Sequence, residues 1–269
     1  MSTGFHIVVC GSLVPDPLQT LTPVVGPTGP GLKNELMLPT ILDPWAGHAL
    51  FEAAHLAKKH ADSKVWLVSL GNKAKLQQLM MTIAQKVPFE LVPLDGPAGG
   101  FTDPFEVAEA LAGAIEKIAG LDRSRMLLFG GCGSAVRDAG VTMSMVAERL
   151  GLTDQFLAVD QIDIQADGSF KVLERIEGGQ YQQSHCAGAP AMLAWATGNL
   201  PEPPNNPQVG MANMRAIMPA LQKAQAVSLK GDDLTFAQVE LPAQRRETRV
   251  VKDMPVEDIA REIVAWLAE

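Results

Sequence analysis

The glycine-rich segment Gly130–Thr142 has the residue types of an anion-binding turn. Its glycines let backbone N–H groups approach a ligand without obstruction by a Cβ atom. A helix predicted to begin near Asp138 would direct the positive end of its dipole at a phosphate. An ordinary strand-to-helix turn, with Asp138 only as a cap, explains the same residues equally well. Neither of the commonest nucleotide-binding loops, GxxxxGKS/T and GxGxxG, occurs in the sequence.

No set of residues predicts hydrolytic or transfer chemistry. The five histidines form no HExxH motif and no close pair with a carboxylate at ligand spacing. No serine or cysteine lies in a GxSxG elbow. Cys132 lies in the glycine-rich segment, where a small buried side chain is a better interpretation than a reactive thiol. Because a nucleophile, a base and an orienting residue cannot be assembled, the sequence favours a binding protein over a hydrolase.

The composition favours a folded protein without a nucleic-acid surface. Of 269 residues 47% are hydrophobic, enough for a substantial core, and the formal charge of −8 is spread along the chain. Cys10, Cys132 and Cys186 form neither a disulfide framework nor a CxxC metal-ligand pair. The opening residues lack a signal-peptide pattern, and no apolar run is long enough to cross a membrane, so we expect a cytoplasmic protein.

The first 151 residues alternate between strand and helix patterns. Short apolar runs predict buried strands, and Asp43 and Asp103, each followed by proline, predict capped helix starts. Four successive β–α units require a parallel sheet, so we predict an α/β fold with a Rossmann-like, open, mostly parallel sheet and helices on both faces. The predicted strands are Phe5–Cys10, Lys64–Leu70, Phe89–Leu94 and Arg125–Phe129. The predicted helices begin at Pro44, Ala74, Pro104 and about Asp138, and the last three end at Lys86, Ile118 and Leu150.

The remaining segments depart from this alternation. Residues 16–42 predict a long excursion with a small hairpin around Gly26–Gly31, and a second hairpin is predicted within 151–198. We expect an α/β domain over 1–226 and a C-terminal arm over 227–269. The other predicted elements are strands Phe156–Gln165, Phe170–Ile176 and Pro190–Ala196, a loop over 199–210, a partly helical segment 211–226 interrupted by Pro219, and an amphipathic helix Asp253–Ala268.

Six motifs follow one another along almost the whole chain: HIVVCGSLVPD (6–16), LDPWAGHALFEAA (42–54), VSLG (68–71), GGCGSAVRDAGVTMSMVAERLGL (130–152), ERIEGGQ (174–180) and GAPAMLA (188–194). In this order they resemble the β (small) subunit of electron-transfer flavoproteins, the FixA-like family. The corresponding family patterns are K-x-V-P-D after the first strand, N-P-F/Y-D/E-x-x-A-x-E-x-A, V-S-x-G, G-x-Q-A-x-D-x-D-T-G-Q-V-x-x-x-L-A-E-x-L-G-L, R-E-x-x-G-G and a Pro-Ala-x-x-T strand.

The resemblance implies a core of five parallel strands and a separate α subunit that carries the redox-active FAD. In this family the β subunit holds a buried AMP, or a second FAD in members that bifurcate electrons. Trp45 would lie near the flavin ring at the subunit interface, although an ordinary residue at a helix start explains it as well. The residues that would enclose the adenine nucleotide are Cys10, Asp43, Leu70, Gly71, Asp138, Ala139, Gly140, Val141 and Thr142.

Several positions depart from the family pattern. Asp43 stands where the family has Asn, which keeps a good helix cap but adds a negative charge near a nucleotide. The other departures remove side-chain partners for ribose and phosphate, while backbone donors and the helix terminus remain. We therefore expect a bound AMP with altered contacts. The replaced positions are Gly133 for Gln, Val136 for Asp, Ala139 for Thr and Val141 for Gln.

The resemblance also implies a partner loop over 199–218. In the family this loop recognises dehydrogenases through an exposed apolar residue, for which Met211 is the best candidate in NPQVGMANM. Packing of Met211 into the start of the following helix is an equally good interpretation.

The resemblance thus implies an electron carrier without bond chemistry of its own. It would accept electrons from flavin-dependent dehydrogenases and pass them toward a membrane quinone reductase. Two other classes stay open. A stand-alone adenine-nucleotide-binding module similar to universal stress proteins would be about half this length, and a nucleotide α-hydrolase would need an S-G-G-x-D/S loop that CGSLVPD lacks. A yellow partner on purification favours the carrier, and a colourless homodimer favours the stress-protein class.

Overall fold

The computed structural model describes residues 4–26, 29–97, 101–136, 140–229, 237–240 and 250–268. The strands, in chain order, are β1 (His6–Cys10), β2 (Leu13–Pro15), β3 (Pro23–Gly26), β4 (Gly29–Leu32), β5 (Thr40–Leu42), β6 (Lys64–Gly71), β7 (Glu90–Asp95), β8 (Met126–Gly131), β9 (Gln155–Ile164), β10 (Phe170–Ile176), β11 (Gln180–Cys186), β12 (Ala191–Trp195) and β13 (Gln225–Ala226). The helices are α1 (Pro44–Lys59), α2 (Lys73–Ile83), α3 (Pro104–Ile115), α4 (Thr142–Arg149), α5 (Pro207–Gln222) and α6 (Val256–Ala268), with short 3-10 turns at Glu35–Met37, Arg123–Arg125 and Glu177–Gly179.

Strand β1 lies inside a nine-stranded sheet whose order is β11-β10-β9-β12-β8-β1-β6-β7-β13. Seven neighbouring strands, β9, β12, β8, β1, β6, β7 and β13, pair in parallel. Strands β10 and β11 extend the sheet beyond β9 as an antiparallel ribbon. The predicted α/β fold with a mostly parallel sheet is therefore confirmed. The parallel part exceeds the implied five strands, because β9 and the two-residue β13 also pair in parallel. The chain leaves β1 toward β6 and returns on its other side at β8, so the topological switch point lies between β1 and β8.

Helices cover both faces of the parallel strands because successive strand residues point to opposite sides. Ile7 and Val9 belong to a core cluster with α1, α2 and α5, and Val8 and Cys10 belong to a second cluster with α3 and α4. All five residues of β1 are buried. A strand that is buried on both faces reads as a continuous apolar run, which is why FHIVVC predicted it.

Local capping signals set the starts of α1 and α3 where the sequence predicted them. The Asp43 carboxylate accepts a hydrogen bond from the Trp45 N–H at 3.2 Å, and Asp103 accepts one from the Phe105 N–H at 2.8 Å. Each cap is followed by proline at the first helical position, where its missing N–H has no intrahelical partner to lose. The predicted hairpins are also confirmed, with β3 pairing with β4 and β9 pairing with β10.

Helix α4 begins at Thr142, later than the predicted start near Asp138. Asp138 and Ala139 lie outside the described residues. Gly140 has a φ of +67°, a left-handed conformation that cannot continue a right-handed helix, so the helix starts after it. Val141 occupies the N-cap position and makes no side-chain cap bond. The predicted cap at Asp138 is therefore wrong for the helix as it is described.

The predicted loop 199–218 ends at Asn206, because α5 begins at Pro207. The Asn206 side chain accepts hydrogen bonds from the N–H groups of Gln208 and Val209, which is a helix-start signal that the proline-rich context concealed. Pro219 does not interrupt α5. It lies in the last turn, where the missing N–H removes a single helical bond near the helix end.

Strand β11 is a polar edge strand that the sequence pattern did not predict. Its residues QYQQSHC pair with the whole of β10, from Phe170 opposite Cys186 to Ile176 opposite Gln180. Six of its seven residues are not buried, so it carries no alternating apolar signal. Its backbone pairing with β10 defines it.

The contacts within the chain divide it into Met1–Val239 and Glu240–Glu269. In the first unit, β13 pairs with β7 and the Val227 N–H donates to the Asp95 carbonyl at 2.8 Å, so residues 225–227 are part of the sheet. The second unit contains α6, whose Ile259, Ile263 and Trp266 recur at helical spacing. No helix in the described part of the chain is long and apolar enough to cross a membrane.

Candidate functional site

A small cavity lies at the carboxyl ends of β1 and β8, at the topological switch point where ligands bind in open α/β sheets. The turns after both strands and the first residues of α1 and α4 form its walls. Its volume is about 60 Å³. Among the residues that line it are Cys10, Ser12, Asp43, Gly133, Ser134 and Thr142.

The Asp43 carboxylate is the central polar group of this cavity and is 5% exposed. Its Oδ1 accepts the Trp45 N–H, as the α1 cap. Its Oδ2 accepts hydrogen bonds from the Ser134 hydroxyl at 2.6 Å and from the Ala135 N–H at 3.2 Å. The Ser134 hydroxyl in turn accepts a bond from the Val136 N–H at 3.3 Å. One carboxylate therefore joins the start of α1 to the glycine-rich turn after β8.

The glycines of that turn permit close packing against the two helices. A Cβ atom at Gly131 would collide with the Cβ atom of Trp45, and one at Gly130 would collide with Met143. Trp45 is half-buried and stands directly beside this turn. Gly140 has a positive φ, and this left-handed conformation lies two residues before the start of α4.

The predicted nucleotide residues are only partly brought together. Cys10, Asp43, Gly140, Val141 and Thr142 line the cavity. Leu70 is fully buried among residues that pack against α3 and α4, and Leu13 lies where a Cβ atom of Gly71 would stand. Leu70 and Gly71 are not among the residues that line the cavity, and Asp138 and Ala139 lie outside the described part of the chain.

The described residues at the cavity do not form a catalytic set. Burial raises the pKa of the Cys10 thiol to about 12, so the thiol stays protonated near neutral pH and is a poor nucleophile. The described residues contain no group of three His, Cys, Asp or Glu side chains arranged for a metal ion. What the site offers is two helix N-termini, hydroxyl groups and a buried carboxylate, which can hold and position a group but supply no nucleophile–base pair.

Met211 lies elsewhere, on the exposed side of α5. It is 65% exposed and borders a groove of about 760 Å³ between α2 and α5. Three further methionines line the groove, namely Met81, Met214 and Met218. Flexible thioether side chains suit a surface that must adapt to a partner.

Two polar residues that hold the segment from β12 to α5 escaped the sequence analysis. The buried Glu52 accepts the N–H groups of Asn199 and Leu200 at 3.0 and 3.1 Å, and burial raises the pKa of this carboxyl. Asn213 donates to the carbonyls of Ala84 and Val87 at the end of α2. Ser134 was also missed. Glu52 interrupts the small-residue stripe of α1 and offered a signal; Asn213 and Ser134 did not.

Comparison with known families identifies one match. The family model described as "Electron transfer flavoprotein domain" matches residues 34–227, which include α1, the glycine-rich turn, the antiparallel ribbon and α5. A search of curated proteins finds no match to the chain.

Proposed function

The chain belongs to the electron transfer flavoprotein family, and we propose that it is the β (small) subunit of a heterodimeric electron-transfer flavoprotein. In this proposal a flavin-dependent dehydrogenase reduces the FAD held mainly by the α subunit, and the complex delivers the electrons toward a membrane quinone reductase. The FAD supplies the redox chemistry when bound. This chain supplies the surface against the α subunit and the surface that recognises redox partners. We also propose a cytoplasmic location.

The observation that carries the proposal is the family match over residues 34–227 of one α/β unit. Two features of the site support it. The described residues that line the cavity include no nucleophile–base pair, which suits a carrier. Trp45 is half-buried at the carboxyl edge of the sheet, where its ring can meet a flavin across an interface. A stand-alone module similar to universal stress proteins is not favoured, because the match continues through the ribbon and α5.

Co-expression with an α subunit tests the proposal. We expect a yellow 1:1 complex that contains FAD and is reduced by a flavin-dependent dehydrogenase with its substrate. Gel filtration, the visible spectrum and bleaching of the flavin absorbance measure these properties. A chain that purifies as a colourless homodimer, with no affinity for the α subunit, would contradict the proposal.

The resemblance also predicts AMP or a second FAD in this chain, at Cys10, Asp43, Leu70, Gly71 and residues 138–142. That stays a prediction. The space and the donors around Asp43 do not fit an adenine nucleotide, since ligand pockets for small molecules span roughly 300–1,000 Å³ and this cavity has about 60 Å³.

We expect Met211→Ala to weaken recognition of the dehydrogenase. Loss of an exposed apolar anchor at the centre of an interface costs on the order of 1–2 kcal/mol, which is roughly a fivefold to thirtyfold loss of apparent affinity. The measurement is the dependence of flavin reduction on dehydrogenase concentration. Met37→Ala is the matched control, because Met37 is 85% exposed and is not among the residues of the α2–α5 groove. Equal affinities of the two variants would remove Met211 from the docking surface.

A further inference from the structure

We infer that the Asp43 carboxylate takes the place of an adenine nucleotide in this chain, so that the subunit carries neither AMP nor a second FAD. The inference rests on the proposed function, because it concerns the nucleotide that family membership leads one to expect. Three properties of the cavity at the switch point support it: the donors, the space and the charge.

Three donors in the described part of the turn after β8 are already used. Ala135 N–H and the Ser134 hydroxyl both donate to Asp43 Oδ2, and the Val136 N–H donates to the Ser134 oxygen. In a nucleotide site such successive backbone donors bind the oxygens of a phosphate. Here a carboxylate from α1 accepts them, and it accepts its own helix-cap bond through the other oxygen. A phosphate would have to displace these bonds.

The space beside the donors is also filled. Leu13 is 4% exposed and covers Gly71 at the carboxyl end of β6. Leu70 points into the core on the α3 and α4 face. The remaining volume of about 60 Å³ holds a few water molecules, since one water needs roughly 10–15 Å³. Adenine and ribose would require Leu13 and the turn to move apart.

The charge at this position opposes a phosphate. The family pattern has Asn where this chain has Asp43, and Asn can make the same helix cap without a negative charge. A buried carboxylate close to a phosphate raises the cost of binding, because like charges repel strongly where water is scarce. Two Gln side chains of the family pattern, whose amides could donate to ribose or phosphate, are replaced by Gly133 and Val141.

One anion-binding feature survives, at α4. Its N-cap residue, Val141, makes no side-chain cap bond, and Thr142 and Met143 line the cavity. This helix end can accept water or a small inorganic anion in the remaining space. It does not by itself provide room for a nucleoside, so it does not alter the inference.

The first test counts nucleotides in the purified heterodimer. Heat release followed by chromatography is expected to yield FAD from the α subunit and no stoichiometric AMP or additional FAD. Stoichiometric AMP, or two FAD per heterodimer, would overturn the inference while leaving the electron-carrier proposal intact. A chain that binds no α subunit would contradict the proposed function instead, and the second test then decides the inference independently.

The second test titrates AMP into the isolated full-length chain and follows thermal unfolding. The wild-type chain is expected to show no rise in its midpoint. The double variant Asp43→Asn/Leu13→Ala removes the charge, keeps a cap and opens the space beside Gly71, so we expect it to gain a rise of roughly 5–10 °C at AMP concentrations near 100 times its Kd.

Asp103→Asn is the matched control, because Asp103 caps α3 before a proline and is not among the residues that line the cavity. It is expected to show no response to AMP. A wild-type response to AMP overturns the inference. Absence of a response in the double variant also overturns it, because Asp43 and Leu13 would then not be the groups that exclude the nucleotide.

Discussion

Asp43→Ala is expected to lower the free energy of unfolding by about 2–4 kcal/mol. The substitution removes the α1 cap, which is worth about 0.5–2 kcal/mol. It also leaves the Ser134 hydroxyl and the Ala135 N–H without their acceptor in a part-buried turn, which adds on the order of 1 kcal/mol for each group. Urea denaturation at neutral pH, followed by circular dichroism, measures the change.

The control for this prediction separates the cap from the turn. Asp103→Ala removes a cap of the same type, and among the described residues the Asp103 side chain accepts a bond from the Phe105 N–H and none from a distant turn. We expect that variant to lose about 1 kcal/mol. If the two alanine variants lose the same free energy, the bonds from Asp43 to the glycine-rich turn contribute nothing to stability, and the closure of the cavity would need another explanation.

Arg175→Met is expected to destabilise the protein by about 2–3 kcal/mol. Asp160 is fully buried, and its Oδ2 accepts a hydrogen bond from the Arg175 guanidinium. Breaking a buried ion pair costs about 3–5 kcal/mol, because one charge is left without compensation. The Arg175 side chain is 45% exposed, so solvent screens part of this cost and the expectation is lowered accordingly.

Two further variants make this prediction specific. Arg175→Met combined with Asp160→Asn removes the buried charge together with its partner, and we expect it to recover most of the lost stability. Arg149→Met breaks the ion pair with Glu109, in which both side chains are more than a third exposed, and should cost less than about 1 kcal/mol. Equal losses for Arg175→Met and Arg149→Met would show that the burial of Asp160 has no consequence.

The Arg175 pair is also linked to the segment that leads to α5. Asp160 Oδ1 accepts a hydrogen bond from the Thr197 hydroxyl at 3.3 Å. Two residues later, the N–H groups of Asn199 and Leu200 donate to the Glu52 carboxylate. The segment that enters α5 is thus held by carboxylates from β9 and α1.

The sequence by itself determined the elements and their class. Buried parallel strands must be continuous apolar runs, and helix starts depend on a cap and a proline that lie side by side in the chain. Both signals are local, so β1, β6, α1 and α3 were predictable from a few neighbouring residues each. The position of the cavity followed as well, because the carboxyl ends of parallel strands are where such sheets bind ligands.

Only the tertiary structure decided which groups surround that cavity. The sequence predicts Asp43 as a helix cap, and this accounts for the bond that its Oδ1 accepts from the Trp45 N–H. Its other oxygen is bonded to Ser134 and Ala135, which lie 91 and 92 residues away. No local pattern encodes such a contact, because it depends on how two turns approach when their strands pair on either side of the switch point. For the same reason the cover of Leu13 over Gly71 and the edge strand β11 emerge only when the chain is folded.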